Sequence, residues 1–145
     1  MKVRRATAKD MPAVAVIHRA AFNAALPHLA DRHSPAEDLT FFTEKVLPTT
    51  SIWLAVPAEI EGFIAFRRGW IDHLYVAPAS QRRGLGSVLL AIAKEREPTL
   101  ELWTFQCNRP ARSFYDKRGF RLVEETDGAR NEEREPDARY RWDGV

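Results

Sequence analysis

Residues 81–87 read QRRGLGS, two arginines and two glycines between the strand-like run HLYV and the helically spaced run SVLLAIAKERE. A turn of this kind leaves N–H groups unpaired at a helix start, where the helix dipole adds partial positive charge, so it suits an anion. Gly84 and Gly86 carry no Cβ and accept positive φ, which lets the backbone approach a phosphate, and Arg82 and Arg83 add charge at the entrance. Two familiar phosphate patterns fail here. The lysine and hydroxyl of G-x-x-x-x-G-K-[ST] are missing, and Leu89 stands where a dinucleotide pattern has its third glycine. A plain kinase or dehydrogenase is therefore disfavoured.

Other reactive side chains are sparse. Cys107 is the single cysteine, which excludes an internal disulfide framework, and His18, His28, His33 and His73 show no ligand-type spacing, so no metal site is expected. Cys107 reads as a small buried residue. Formal net charge is only +2, from 22 Lys and Arg against 20 Asp and Glu, so any anion site must be local and a nucleic-acid surface is not expected. With 45% hydrophobic and 29% charged residues in 145, the chain has the composition of one soluble globular domain over residues 1–145. The basic N-terminal segment is interrupted by Asp10 and His18, unlike a signal peptide, and no apolar run approaches membrane-spanning length. A cytoplasmic protein without membrane contact is the expectation.

The elements that must position the turn follow from local pattern. KVRRA is a strand, and Thr7-x-x-Asp10 resembles a capping box before a helix carrying Met11, Val14, Ile17 and Ala21 on one face. Ser34-Pro35-Ala36-Glu37 opens a second helix with Leu39, Phe42 and Val46 as its stripe and Pro48 at its end. SIWLAVP and IEGFIAFRR form a hairpin, and WIDHLYV follows as a third strand. Leu85, Val88, Leu89 and Ile92 mark one face of the helix after the glycines, which Pro98 stops before the strand TLELWTF. RPARSFYDKRGF is a helix capped at Gly119, and FRLVEE and ARYRW are the last strands. The order predicts one α+β domain with a central mixed sheet.

Gln-x-x-Gly-x-Gly after Leu74-Tyr75-Val76, followed by Asn108, Ala111, Phe114, Tyr115, Gly119 and Phe120 in NRPARSFYDKRGF, resembles the GCN5-related N-acetyltransferase (GNAT) superfamily over nearly the whole chain. The resemblance implies a mostly antiparallel sheet flanked by helices, with a splayed cofactor cleft between the third hairpin-group strand and residues 100–105. It further implies that the backbone of Arg82, Arg83, Gly84, Leu85, Gly86 and Ser87, with Gln81, holds the pyrophosphate of acetyl-CoA. Leu74, Tyr75 and Val76 would run beside the pantetheine arm, and Asn108, Ala111 and Phe114 would line its far side.

The implied reaction is direct attack of an amine on the thioester, with the Leu74 N–H as oxyanion donor. Tyr115 occupies the family's tyrosine position and would protonate the departing thiolate, a phenol of pKa about 10 and a thiol of about 8.5 being close enough for transfer. For the base, strand alternation puts Trp70, Asp72, Leu74 and Val76 on one side and Ile71, His73 and Tyr75 on the other, so Asp72 is the ionisable group beside Leu74; His73 and water remain alternatives. The acceptor is an amine of a small molecule or of a peptide. Phe22, Phe41, Phe42, Trp53, Trp70 and Trp103 are available as cleft walls. Glu132, Glu133, Glu135 and Asp137 lie in a loop that often reaches the acceptor in the family, with Arg130 and Arg134 as their available partners. A homodimer through the C-terminal strands is left open by the resemblance. The alternative is a non-catalytic CoA-binding sensor or subunit.

Overall fold

The computed structural model describes residues 1–144. Seven strands form one sheet in the order β1-β2-β3-β4-β5-β7-β6, where β1 is Lys2–Arg5, β2 Ser51–Val56, β3 Gly62–Arg67, β4 Trp70–Val76, β5 Thr99–Phe105, β6 Arg121–Thr126 and β7 Asp137–Asp143. Every neighbouring pair is antiparallel except β4 and β5. The helices are α1 (Met11–Ala25), α2 (Pro35–Phe41), a short turn α3 (Leu47–Thr49), α4 (Leu85–Arg96) and α5 (Arg109–Asp116).

Alternation on β2 and β3 sends Ile52, Leu54, Phe63 and Ala65 to one face, where they meet Met11, Val14 and Ile17 of α1 with Phe42 and Val46. Ala55, Ile64 and Phe66 go to the other face, against Leu85, Leu89, Leu90 and Ala93 of α4 and Tyr115 of α5. Strands β2 and β3 are thus covered on both sides. Asp10 carries out the predicted capping, accepting from the Thr7 N–H (2.8 Å), and is held by both Arg4 Nη atoms (2.9 Å each). The Arg4 guanidinium in turn draws its carboxyl pKa down to about 2.

Three local expectations are corrected. The helix does not stop at Pro48: after α2 the chain widens into a π turn over Phe42–Val46 and then takes the α3 turn, with Pro48 near its start. A missing proline N–H is harmless at the start of a turn. Leu39 and Val88 are each 37% exposed rather than on the buried stripes, and the second helix buries Asp38, paired with Arg19 at 3.0 Å. The alternation drawn along WIDHLYV also fails. β3 and β4 slip register so that Ala65 faces His73 while Phe66 faces Ile71, leaving Asp72 as the extra residue of a bulge. Ile71 consequently packs with Phe66 in the α4-side core, not with His73 and Tyr75.

Candidate active site

The parallel strands β4 and β5 meet only at Trp70 and Glu101, where the Glu101 N–H donates to the Gly69 carbonyl (2.8 Å). Beyond that point β4 has no ladder partner on β5 among the described residues, so the strands part toward their C-terminal ends. At this end α4 begins after β4 and α5 after β5. On its other edge β4 stays paired with β3, and the Ala77 N–H donates to the Glu61 carbonyl at 2.8 Å. Because successive peptides point to opposite edges, Tyr75 faces β3 while the peptide groups of Leu74 and Val76 turn into the gap. An extended ligand arm can lie there as an additional strand.

The glycine turn closes this gap at the head of α4. Arg82 (φ 66°) and Gly84 (φ 83°) are both left-handed, which folds the backbone into a concave nest. The first helical hydrogen bond runs from the Val88 N–H to the Gly84 carbonyl (3.1 Å), so the N–H groups of Leu85, Gly86 and Ser87 face out of the helix end without a backbone acceptor. The residues present therefore fit a pyrophosphate. Gln81 uses its side chain differently from an anion ligand, donating Nε2 to the Val76 carbonyl (3.0 Å) and tying the turn to β4. Arg83 leans toward Glu61 (3.4 Å).

Gly86 is small for a packing reason: a Cβ there would lie 3.2 Å from the Phe114 ring. Arg118 fastens this contact, with its guanidinium 3.8 Å from the Phe114 ring centroid, Nη1 donating to the Phe114 carbonyl (3.0 Å) and two nitrogens donating to Ser87 Oγ (3.0 and 2.7 Å). Arg118 lies in the tail of NRPARSFYDKRGF, where its charge alone carries no sign in the sequence of this role. Asn108 caps α5 by accepting from the Ala111 N–H at 3.3 Å, and Ala111 and Phe114 pack against the α4-side core.

Tyr115 is 8% exposed, its ring edge-on to Phe114 (5.1 Å) and Phe120 (5.2 Å). Burial raises its phenol well above the ordinary value, with Tyr75 adding to the effect. The hydroxyl is therefore fully protonated at neutral pH, as a proton donor must be. Tyr75 is pushed up to about 12, mainly by burial and further by Glu133.

Beside the gap a cavity of about 360 Å³ opens between α1, the α1–α2 connection, β4, the end of β5 and the loop before β7. Its aromatic wall contains His18, Phe22, Phe41, His73, Tyr75 and Phe105. The rings of His18 and His73 stand edge to face at 5.8 Å, and Nδ1 of each is buried without a hydrogen-bond partner among the described residues. Burial lowers both pKa values to about 4, so both imidazoles are neutral at pH 7. The place of His18 on α1 gives no sign in the sequence that Tyr75 and His73 meet it.

Asp72 also lines this cavity, on the His73 side rather than beside Leu74, and Arg67 Nε holds its carboxylate at 2.8 Å. The bulge is the physical reason for the change of side. Of the six aromatic wall candidates, Phe22 and Phe41 reach the cavity, while Phe42 is core and Trp103 is 45% exposed. Glu132 and Glu133 reach it too. Two of the four loop acids pair with histidines rather than with Arg130 or Arg134: His33 is 2.8 Å from Glu132 and His28 3.1 Å from Glu135. Cys107 is exposed, not buried, and it converges with His28 and Glu135 despite the absence of ligand-type spacing.

A seven-stranded sheet that parts beside a phosphate-shaped helix start is the architecture of an acyl-CoA-binding transferase fold. The family pattern described as an acetyltransferase (GNAT) domain matches residues 48–122, from within α3 into β6. The chain belongs to the GNAT acetyltransferase family. Among solved structures, YjaB from Escherichia coli superposes with a TM-score of 0.77 at 23% identity, over 99% of this chain and 98% of that one. The PaiA N-acetyltransferase of Thermoplasma acidophilum, in complex with coenzyme A, superposes with a TM-score of 0.76 at 18% identity, over 98% of each chain. A curated relative, the peptidyl-lysine N-acetyltransferase YiaC of Escherichia coli, is 38% identical over 64 residues, which are 43% of this chain and 44% of that protein. This chain thus spans less than half the length of the curated relatives it matches.

Proposed function

We propose that the protein moves the acetyl group of acetyl-CoA to a primary amine of a small molecule or a peptide by direct attack on the thioester. The observation that carries this reading is the unpaired edge of β4, with the Leu74 and Val76 peptides in the gap and the N–H groups of Leu85, Gly86 and Ser87 at its end. Pyrophosphate takes the nest and the helix start, while pantetheine extends β4 toward Leu74. The Leu74 N–H is then aimed at the thioester oxygen, whose developing charge it stabilises.

The neutral amine nitrogen bonds to the carbonyl carbon, the carbon–sulfur bond breaks, the amine loses one proton and the thiolate takes one. Tyr115 supplies the latter. Its phenol is a weaker acid than a free one, but a thiolate leaving into a solvent-poor site is a stronger base as well. His73, neutral at pH 7 and part of the acceptor-cavity wall, is the leading acceptor for the amine proton, directly or through water. Asp72, bound to Arg67, serves to attract a cation rather than to take a proton.

Six carboxylate residues line the cavity (Asp31, Glu37, Asp38, Asp72, Glu132 and Glu133) against Arg19 and Arg32, which favours a cationic amine. Peptide lysines come first among the candidates, a choice supported by similarity to a peptidyl-lysine N-acetyltransferase. No helix among the described residues is long and apolar enough to cross a membrane, and a free thiol is at home in the reducing cytoplasm, where we place the protein.

A screen of lysine peptides, peptide N-termini, polyamines and small amines, followed by release of the CoA thiol, tests the reading. Acceptor-dependent release with matching acetylated product supports it. Tight acetyl-CoA binding with no release across the screen would favour a CoA-sensing role, and no binding by calorimetry would sink both.

A further inference from the structure

The fold brings three metal-ligand side chains together, on segments whose neighbouring residues Leu29, Phe105 and Glu133 line the acceptor cavity. His28 lies on the helical turn Pro27–Leu29, Cys107 follows β5, and Glu135 sits in the loop before β7. They are 79 and 28 residues apart in sequence (107 − 28 and 135 − 107). One ligand atom from each residue nevertheless lies within 4.8 Å of the other two, and His28 Nε2 is 3.1 Å from Glu135 Oε1.

A tetrahedral zinc ion takes imidazole nitrogen at about 2.0–2.1 Å, thiolate sulfur at about 2.3 Å and carboxylate oxygen at about 2.0–2.2 Å. These radii put neighbouring ligand atoms roughly 3.3–3.7 Å apart. The nitrogen–oxygen edge already has nearly that length, and the sulfur edges close by side-chain rotation of about an ångström, which exposed Cys107 and the 51% exposed His28 side chain are free to make. The same exposure gives an ion a path from solvent and leaves room for a water as fourth ligand.

We propose that His28, Cys107 and Glu135 form a binding site for a divalent transition metal of the zinc class. A mixed nitrogen, sulfur and oxygen set selects such an ion over magnesium or calcium, which prefer oxygen alone. On binding, the Cys107 thiol gives its proton to solvent and forms a metal–sulfur bond; no oxidant or reductant takes part.

The consequence is mechanical. The loop before β7 already rests on the α1–α2 connection through His33 to Glu132 (2.8 Å) and Arg32 Nη2 to the Glu132 carbonyl (3.0 Å). A metal at the adjacent trio ties that loop, the connection and the end of β5 to one point. It fixes the rim that presents Glu132 and Glu133 to the acceptor, so metal supply would tune how open the cavity is.

The test is calorimetric titration of zinc chloride into the full, untagged, reduced chain, with cobalt(II) as an optical probe. The expected result is one zinc ion per chain, no binding of magnesium, and a thiolate-to-cobalt charge-transfer band that Cys107→Ser abolishes. His28→Ala, Cys107→Ser and Glu135→Gln should each weaken zinc binding on the order of 10–100-fold or more. The proposal is overturned if zinc does not bind, if binding survives the three substitutions unchanged, or if cobalt binds without the charge-transfer band. The substitutions lie on three separate segments, so a variant whose metal-free circular-dichroism melt departs from wild type is set aside and the other two decide. None of the trio belongs to the cofactor gap, so failure here leaves the acetyl-transfer reading standing.

Discussion

Tyr115 and the histidine pair are solvent-poor groups whose protonation follows from where their rings are packed. If Tyr115 delivers the thiolate its proton, Tyr115→Phe keeps the ring contacts with Phe114 and Phe120 and removes only the acid. Turnover at saturating substrate is then expected to fall by about a hundredfold, with the acetyl-CoA dissociation constant nearly unchanged; full turnover under conditions where chemistry limits the rate would assign the proton to water. His18 and His73 make a second prediction, with a definite sign. Both have folded pKa values of about 4 against the ordinary 6.5, so between these limits the unfolded chain binds protons that the folded one refuses. They leave stability unaffected above about pH 6.5 and diminish it as pH falls toward 4. Urea midpoints at pH 7 and pH 5 should show this decline, and His18→Leu should shrink it. Asp10 acts lower on the scale, its contribution being complete above 3.8 and lost as pH falls through about 2.

The turn before α4 and the tail of α5 act together, since one forms the phosphate cradle and the other holds the wall against it. Gly84 has φ 83° and open space around the position of a Cβ, so the main cost of Gly84→Val is the left-handed strain, about 1–2 kcal/mol. The turn relaxes away from the nest, and acetyl-CoA affinity measured by calorimetry should weaken by roughly tenfold; unchanged affinity would show that the nest does not meet the pyrophosphate. Arg118→Ala releases Ser87 and the Phe114 ring at once. Its expected signature is a raised KM for acetyl-CoA with kcat largely retained, because the guanidinium positions the cradle without reaching the reacting atoms. An equal fall in kcat would place Arg118 in the chemistry instead.

Two cores, one on each face of the sheet, hold β4 in place while its edge toward β5 stays free. Phe42 joins the α1-side core to the cavity wall, with its ring against Phe63 (5.6 Å), His18 (5.1 Å) and His73 (5.2 Å) and none of its surface exposed. Phe42→Ala should cost about 3–5 kcal/mol in urea unfolding. It should also impair the acceptor side more than acetyl-CoA binding, because Leu74, Val76 and the α4 turn rest on the opposite core. Equal loss at both substrates would mean that the two halves of the site are not independently supported.

The succession of elements, the glycine turn and the helix carrying Tyr115 were all legible in the chain, because capping residues, proline, glycine and apolar periodicity act over a few neighbours. The Gln81-to-Gly86 pattern and NRPARSFYDKRGF were sufficient to name the family for the same reason: each is a contiguous piece of backbone geometry. Other features depended on distant partners. A single bulge between β3 and β4 moved Asp72 to the His73 side and Ile71 into the other core, a slip set by pairing with Ala65 and Phe66 that no alternation rule on β4 alone contains. The enclosure of His18 with His73, the grip of Arg118 on Ser87, and the convergence of His28, Cys107 and Glu135 likewise join residues far apart in the chain. Local pattern determines which elements form; the cavity and its chemistry arise where those elements pack.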